Sequence, residues 1–249
     1  MSIYYPNNYT DKPKAFDFFC GIGGFSLGLM QAGFEVVGAM DNSPDAFYTY
    51  VANLGKLPIN VHYTSLKYQK LLTANLDKKF KGKENLKESD VRTGWIKNNP
   101  EIPGVSNFIF GDIKEVDGEW IMERLGLTKP LDLVVGGPPC QGFSSANSKA
   151  SKNDPRNELV FEYIRLVTEL QPLNMVMEEV PAILNYTTPE GIPIIDAVTH
   201  ILEYNDYGSF EAISKFLRNI SGAGVVMKTT GKEREGKKQK PINSLELFK

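Results

Sequence analysis

Short apolar runs alternate with helix-length segments along most of this chain. Runs rich in β-branched and aromatic residues, as buried strands are, lie at 15–19, 34–41, 107–113, 131–135 and 173–181. Segments with apolar residues on one helical face lie at 26–32, 44–53, 120–127, 156–170 and 195–204. Strands that alternate with helices predict an α/β fold in which helices cover both faces of a Rossmann-like, mostly parallel sheet.

Other regions depart from the alternation. Residues 1–14 are polar and predict a leader, and the lysine-rich residues 63–100 predict an insertion with one or two surface helices. The insertion could contact nucleic-acid phosphates, but a solvated flap is the simpler interpretation. A last strand or helix is predicted at 210–216, and residues 228–249 have the composition of a basic, disordered tail. The predicted domain therefore runs over residues 15–227.

The composition is that of a globular protein. Of 249 residues, 41% are hydrophobic and 23% are charged, which suits one large α/β domain. The net charge of -2 does not indicate a nucleic-acid-binding protein, although a local basic patch could serve that purpose. There is no signal peptide and no apolar run of membrane length. The two cysteines, Cys20 and Cys140, favour reduced thiols and a cytoplasmic location over a disulfide framework.

A glycine-rich turn follows the first predicted strand. Strand, glycine turn and helix together bring backbone close to a nucleotide-like ligand. The spacing Gly21-x-Gly23-Gly24 is not the dinucleotide fingerprint, so the turn alone fits a cofactor loop and an ordinary turn equally well. Asp41, at the end of the second strand, could accept both hydroxyls of a ribose, or Asp41 or Ser43 could cap the next helix. Turn and acid together favour a ribose-bearing cofactor.

Asp112 ends the third predicted strand. A carboxylate at this position can accept a hydrogen bond from an exocyclic amine such as that of adenine. A simple turn explains the residue as well.

A cysteine follows the central strand. Gly-Gly-Pro-Pro stops the strand, and because each proline fixes φ, Cys140 would stand on a rigid turn. A thiol near backbone N–H groups or cations is a usable nucleophile, whereas most cysteines are small buried residues. Glu178 and Glu179 end the next strand, where a carboxylic acid could serve a substrate ring or cap a helix. The polar stretch 144–155 is a candidate closing loop.

These pieces, in this order, resemble the catalytic part of a C5-cytosine DNA methyltransferase, from about Phe16 to Tyr207. The stretch similar to the family's first S-adenosylmethionine motif is Phe18-x-Cys20-Gly21-x-Gly23-Gly24-Phe25. The stretch similar to its catalytic loop is Pro138-Pro139-Cys140-Gln141-Gly142-Phe143-Ser144. Two further stretches resemble family motifs, Asp154-x-Arg156-Asn157-x-Leu159 and Glu178-Glu179-Val180-Pro181.

The resemblance implies a Rossmann-like methyltransferase fold, S-adenosylmethionine as cofactor and no metal. It implies that Cys140 adds to C6 of a cytosine flipped out of DNA, that Glu178 binds the ring, and that loop 144–155 closes on the duplex. Asp41 would then bind the ribose and Asp112 the adenine. The implied cofactor-binding residues are Phe18, Cys20, Gly21, Gly23, Gly24, Asp41, Asp112, Ile113, Pro138 and Leu159.

The chain also departs from the family pattern. Glu179 stands where the family has asparagine, and no Gln-x-Arg-x-Arg motif follows Tyr207. The target recognition domain and the last two motifs are not found. We therefore expect a split, truncated or divergent bacterial or phage-like enzyme, with recognition supplied by a second polypeptide. The rival hypotheses are cytosine methylation of RNA and a non-catalytic subunit, of which Cys140 and Glu178 argue against the second.

The final residues carry one more resemblance. Ser244-Leu245-Glu246-Leu247-Phe248 is similar to the short Leu-x-Leu-Phe peptide that docks on the bacterial sliding clamp. Clamp binding is therefore a minor hypothesis.

Overall fold

The computed structural model describes residues 12–79, 94–139, 158–185 and 193–204. Its strands are β1 Lys14–Phe18, β2 Glu35–Asp41, β3 Gly55–Tyr63, β4 Val105–Phe110, β5 Leu133–Gly136 and β6 Met175–Met177. They form one sheet in the order β3-β4-β2-β1-β5-β6, and every neighbouring pair is parallel. Most of the leader, loop 144–155, segment 210–216 and the basic tail lie outside the described residues.

Helices cover both faces of this sheet. They are α1 Gly24–Gln31, α2 Pro44–Leu54, α3 Leu66–Lys79, α4 Gly118–Leu125, α5 Glu158–Leu170 and α6 Ile194–Tyr204. Short 3₁₀ turns lie at Trp95–Asn98, Ile113–Glu115 and Pro181–Asn185. Residues of α4, α5 and α6 share one core cluster, whereas residues of α1, α2 and α3 belong to clusters on the other face. The predicted Rossmann-like α/β fold is confirmed.

The central strand shows why this sequence forms a two-faced sheet. Phe16 and Phe18 are fully buried against the face covered by α5, and Ala15 is fully buried beneath α1. A strand buried on both faces reads as a continuous apolar run, which is the pattern that predicts β1, β2 and β5. Within the described ranges, no helix has the length and apolarity needed to cross a bilayer.

Strand β3 is absent from the sequence prediction, which leaves residues 55–62 unassigned. Leu57, Ile59 and Val61 alternate with more polar residues, and Pro58 interrupts the run. The structure places β3 at the edge of the sheet, beside β4 alone. Proline is tolerated on an edge strand because one side of that strand needs no hydrogen-bond donor.

Helix α3 is part of the layered fold. Tyr68, Leu72 and Leu76 lie on one face of this helix and are buried in the cluster that also contains α2 and β4. The interpretation of this region as a solvated flap is therefore wrong for α3. The lysines on the opposite face of α3 are the reason why the sequence predicted a solvated segment.

Several element boundaries differ from the sequence prediction because local caps decide them. Helix α4 begins at Gly118, since the Asp117 carboxylate accepts the Trp120 N–H at 2.8 Å, and it ends where Gly126 adopts φ 63°. Strand β4 ends at Phe110, before the 3₁₀ turn Ile113–Glu115. Strand β6 is limited to Met175–Met177, well inside the predicted 173–181.

A buried arginine joins α5 to the chain that leaves β4. Arg165 contacts the carboxylates of Glu162 and Glu169 at 2.8 and 3.0 Å. Its guanidinium also donates to the carbonyls of Ile113 and Val116, each at 3.0 Å. These bonds compensate the desolvation of the charge and fix the position of the turn Ile113–Glu115.

The position of α3 can be tested with two adjacent leucines. Leu72 is fully buried and Leu71 is 38% exposed. We expect Leu72→Ala to lower the free energy of unfolding by about 3 kcal/mol, because it leaves a cavity in the core. Leu71→Ala is the matched control and should cost less than about 1 kcal/mol. Urea unfolding measures both, and equal small effects would show that α3 is peripheral.

Candidate active site

A cavity opens at the carboxyl edge of the sheet. Strand β1 lies between β2 and β5, so the chain reverses the direction in which it adds strands at this point, and crevices form where that happens. The cavity has a volume of about 200 Å³. Its lining residues are Phe18, Phe19, Met40, Asp41, Asn42, Gly111, Asp112, Ile113, Gly137, Pro139 and Leu159.

The sequence prediction and the cavity overlap in part. The predicted cofactor residues that line it are Phe18, Asp41, Asp112, Ile113 and Leu159. Those that do not are Cys20, Gly21, Gly23, Gly24 and Pro138. The lining residues missed from sequence are Phe19, Met40, Asn42, Gly111, Gly137 and Pro139. Each missed residue stands within two positions of a predicted residue or at a strand exit, and that adjacency is the signal that could have found them.

The glycine turn is bonded to Asp41, one of the residues that line the cavity. Gly21 has φ 52° and donates its N–H to Asp41 Oδ2 at 2.9 Å. Gly23 has φ 94°, and a side chain there would place its Cβ 2.5 Å from Leu54 Cδ1. Glycine is therefore required at both positions, by conformation at the first and also by space at the second.

Asp41 and Asp112 each accept a hydrogen bond from the backbone N–H two residues further on, and the N-cap of helix α2 is Ser43. Asp41 Oδ1 accepts the Ser43 N–H at 2.9 Å, and Asp112 Oδ1 accepts the Lys114 N–H at 3.1 Å. Both residues also line the cavity. Because each carboxylate oxygen has two lone pairs, a residue that caps a turn can still accept a ligand hydrogen bond.

Glu178 lies at the exit of the neighbouring strand. Its N–H donates to the Gly136 carbonyl at 2.9 Å, in continuation of the β5–β6 ladder. A Cβ built on Gly137 would lie 3.2 Å from Glu178 Oε2, so this carboxylate sits directly over the glycine. Glu178 is exposed to solvent. Cys140 follows Gly137 by three positions and lies outside the described residues.

Tyr163 of α5 holds the exits of β5 and β6 together. Its hydroxyl lies 2.9 Å from the Val176 carbonyl and 3.3 Å from the Val134 carbonyl. A Cβ at Gly136 would come within 2.6 Å of the Tyr163 ring. The ring also packs edge-on against Phe18, which lines the cavity. Tyr163 thus fixes the backbone beneath Gly137 and Glu178.

Cys20 has the environment of a structural thiol. It is 6% exposed, and burial together with the nearby carboxyls of Asp17 and Asp41 raises its pKa well above the ordinary value. A neutral, buried thiol is a poor nucleophile.

A buried polar network lies under the glycine turn. Asp17 Oδ2 accepts the N–H and the hydroxyl of Ser26 at 3.1 and 2.6 Å, and the Tyr50 hydroxyl donates to Ser26 Oγ at 2.7 Å. Asp17 is fully buried, and its Oδ1 has no hydrogen-bond partner. Burial raises the pKa of Asp17 from 3.8 to about 7, although its bonds to Ser26 oppose the shift; the Asp41 carboxylate adds to it.

The cavity suits a nucleoside-containing cofactor. Phe18, Met40, Ile113 and Leu159 provide apolar walls for a ring, while carboxylates at two strand ends can accept hydrogen bonds from hydroxyl or amino groups. Within the described ranges, no group of three or more His, Cys, Asp or Glu side chains could hold a metal ion.

Fold and cavity together define an α/β protein with a cavity at the switch point of its sheet, lined by carboxylates and apolar side chains. The model of the family "C-5 cytosine-specific DNA methylase" matches residues 14–77 and 88–212. This chain belongs to that family.

Individual relatives agree with the family match. The Methanocaldococcus jannaschii protein M.MjaORF1200P is 35% identical over 187 residues, which is 68% of this chain and 49% of the relative. The type II methyltransferase M.HgiGI of Herpetosiphon aurantiacus is 30% identical over 67% of this chain and 90% of its own length. A prophage-encoded Escherichia coli protein of known structure is 25% identical, with a TM-score of 0.49 over 77% of this chain and 38% of its own. This chain thus spans about half the length of the first relative.

The buried Asp17 carboxyl should make stability depend on pH. Its folded pKa of about 7 lies above the ordinary 3.8, so its stabilising contribution is complete below about pH 4 and is lost as the pH rises through 7. The loss amounts to about 4 kcal/mol. We expect Asp17→Asn to remove this part of the pH dependence of the free energy of unfolding. The exposed change Asp45→Asn is the control, and an unaltered profile in Asp17→Asn would contradict the assignment.

Proposed function

We propose that this protein transfers a methyl group from S-adenosylmethionine to C5 of cytosine in DNA through a covalent adduct with Cys140. The observation that carries the proposal is the position of the Glu178 carboxylate, directly over Gly137 at the edge of the cofactor-sized cavity. Gly137 leads into Pro138-Pro139-Cys140, so Cys140 follows the last residue of β5 by four positions in the sequence, and β5 pairs with β6, whose exit carries Glu178. Family membership supports the same reaction.

Cys140 and Glu178 would have different roles in the reaction. C5 of cytosine is a poor nucleophile, and addition of the Cys140 thiolate to C6 makes C5 enamine-like. C5 can then form its bond to the methyl group as the bond between that methyl group and the donor sulfonium breaks, which leaves a neutral thioether. The C5 proton passes to solvent, and expulsion of Cys140 restores the aromatic ring and the free thiolate.

Glu178 would bind the edge of the cytosine ring. Its carboxyl group would bind N3 and, as the thiolate adds to C6, would stabilise the protonated ring. The exocyclic amine can donate to the second carboxyl oxygen. The base must leave the duplex to reach this site, at a cost of a few kcal/mol.

The cavity residues would bind and orient the cofactor. Asp41 accepts from ribose hydroxyls, Asp112 accepts from the adenine amino group, and Phe18, Ile113 and Leu159 pack against the purine. S-adenosylmethionine supplies an electrophilic methyl group when it is bound. Pro138, next to the lining residue Pro139, fixes the turn that separates this cavity from the cytosine site.

Target recognition by a second polypeptide is part of the proposal. It rests on the residues that follow Tyr207, in which the family's Gln-x-Arg-x-Arg motif is not found.

Labelled methyl transfer tests the reaction. With tritiated S-adenosylmethionine and unmethylated mixed-sequence DNA, we expect label in cytosine, none with Cys140→Ala, and at least about 100-fold less with Glu178→Gln. Glu123→Gln, an exposed glutamate of α4, is the matched control. Label that persists in Cys140→Ala would exclude the covalent route. Preferential labelling of competing RNA would show that the substrate is RNA. If the chain is inactive alone and stays inactive when the remaining family segments are added as a second polypeptide, the proposal is wrong.

Gly137→Ala tests the position of the Glu178 carboxylate. The new methyl group would lie 3.2 Å from Glu178 Oε2, so the carboxylate must move by a few tenths of an ångström. We expect turnover to fall about tenfold with little change in the urea midpoint, because small displacements at a reacting centre are costly. Gly28→Ala, with open space around its Cβ, is the matched control. Equal turnover in the two variants would show that Glu178 does not need its present position.

A further inference from the structure

A second, larger cavity lies at the opposite end of the sheet. It is a groove beside the start of β6, with a volume of about 370 Å³. Its apolar lining comes from α5, from the connection to β6 and from α6, through Val167, Pro172, Leu173, Met175 and Leu202. None of these residues belongs to the proposed methyl-transfer site.

Leu173 is the exposed apolar residue of this groove, whose lining also includes the polar residues Thr168, Gln171 and Asn174. Its side chain is 69% exposed, although its N–H is bonded to the Leu131 carbonyl at 2.9 Å and its backbone is therefore fixed. Burying a leucine side chain contributes about 1.5–3 kcal/mol. An exposed leucine with a fixed backbone, beside the other apolar residues of the groove, can bind a further apolar segment.

The path of the chain suggests which segment that is. Helix α6 ends at Tyr204, two residues after Leu202, which is itself part of the groove wall. The residues that follow carry large apolar side chains at intervals of three, four and three: Phe210, Ile213, Leu217 and Ile220. This spacing gathers them on one face of a helix. The six residues from the end of α6 at Tyr204 to Phe210 can reach up to about 21 Å, enough to return across the groove.

We propose that the groove is the docking surface for residues 205–220 of the same chain, with Leu173 buried against their apolar face. Two other occupants are conceivable. Residues 1–11 are one, because Lys14, near the first described residue, lies at the same end of the sheet: its N–H bonds Asp132 Oδ2 at 2.7 Å, and the Asn174 side chain bonds the Asp132 carbonyl at 3.2 Å. A second copy of this chain is the other.

A double-mutant cycle on the full chain distinguishes these occupants. We expect Leu173→Glu and Leu217→Glu each to lower the urea midpoint by about 0.5 M, since each places a charge in a buried apolar contact. The double variant should unfold no earlier than either single variant, because the contact is already lost. Leu66→Glu is the matched control: Leu66 is 56% exposed on α3, away from the groove, and its change should leave the midpoint within about 0.2 M of wild type.

Several outcomes would overturn the proposal. An unchanged midpoint in Leu173→Glu would mean that the groove is bare. Additive effects of Leu173→Glu and Leu217→Glu would separate the groove from residues 205–220, and coupling of Leu173→Glu to Tyr5→Glu instead would assign it to residues 1–11. A dimer by light scattering that Leu173→Glu dissociates would assign the groove to a second copy. Urea unfolding and light scattering do not involve methyl transfer, so their results are independent of the proposed reaction.

Discussion

Burial of β1 on both of its faces is the constraint on which the rest of the structure depends. Phe16 and Phe18 fill the core under α5, while Ala15 and Asp17 face the other layer. Because β2 and β5 flank β1 and run parallel to it, the carboxyl ends of all three strands lie at the same edge of the sheet. The cavity follows from that arrangement, since the connections that leave β1 and β5 go to opposite faces of the sheet and leave a space between them.

The glycine turn is joined to this frame by carboxylates. Asp17 holds the start of α1 through Ser26, and Asp41 holds Gly21 and the start of α2 through two backbone N–H groups. The same Asp41 lines the cavity. A side chain that shapes the backbone and also faces the ligand space has little freedom to move, and the entropy cost of ordering it is met on folding, before any ligand binds.

The sequence predicted the parts of the fold that are buried on both faces, because such strands are continuous apolar runs. It did not predict β3, where Pro58 and alternating polar residues are compatible with an edge position. It also misjudged α3, whose lysines obscured the buried stripe of Tyr68, Leu72 and Leu76. In the candidate site, residues with a distinctive chemistry such as Asp41 and Asp112 could be predicted. Phe19, Met40 and Asn42 were not predicted, because they carry no motif of their own and their one signal is adjacency to a predicted residue at a strand exit.

The contact between Tyr163 and Gly136 links two positions that are distant in the chain. The ring occupies the space that any side chain at position 136 would need, and its hydroxyl binds carbonyls of both adjoining strands. A larger residue at 136 can be accommodated only if the ring becomes smaller, and a smaller ring abandons the bonds that align the two strand exits. Position 136 is therefore confined to glycine for as long as position 163 carries an aromatic ring in this place.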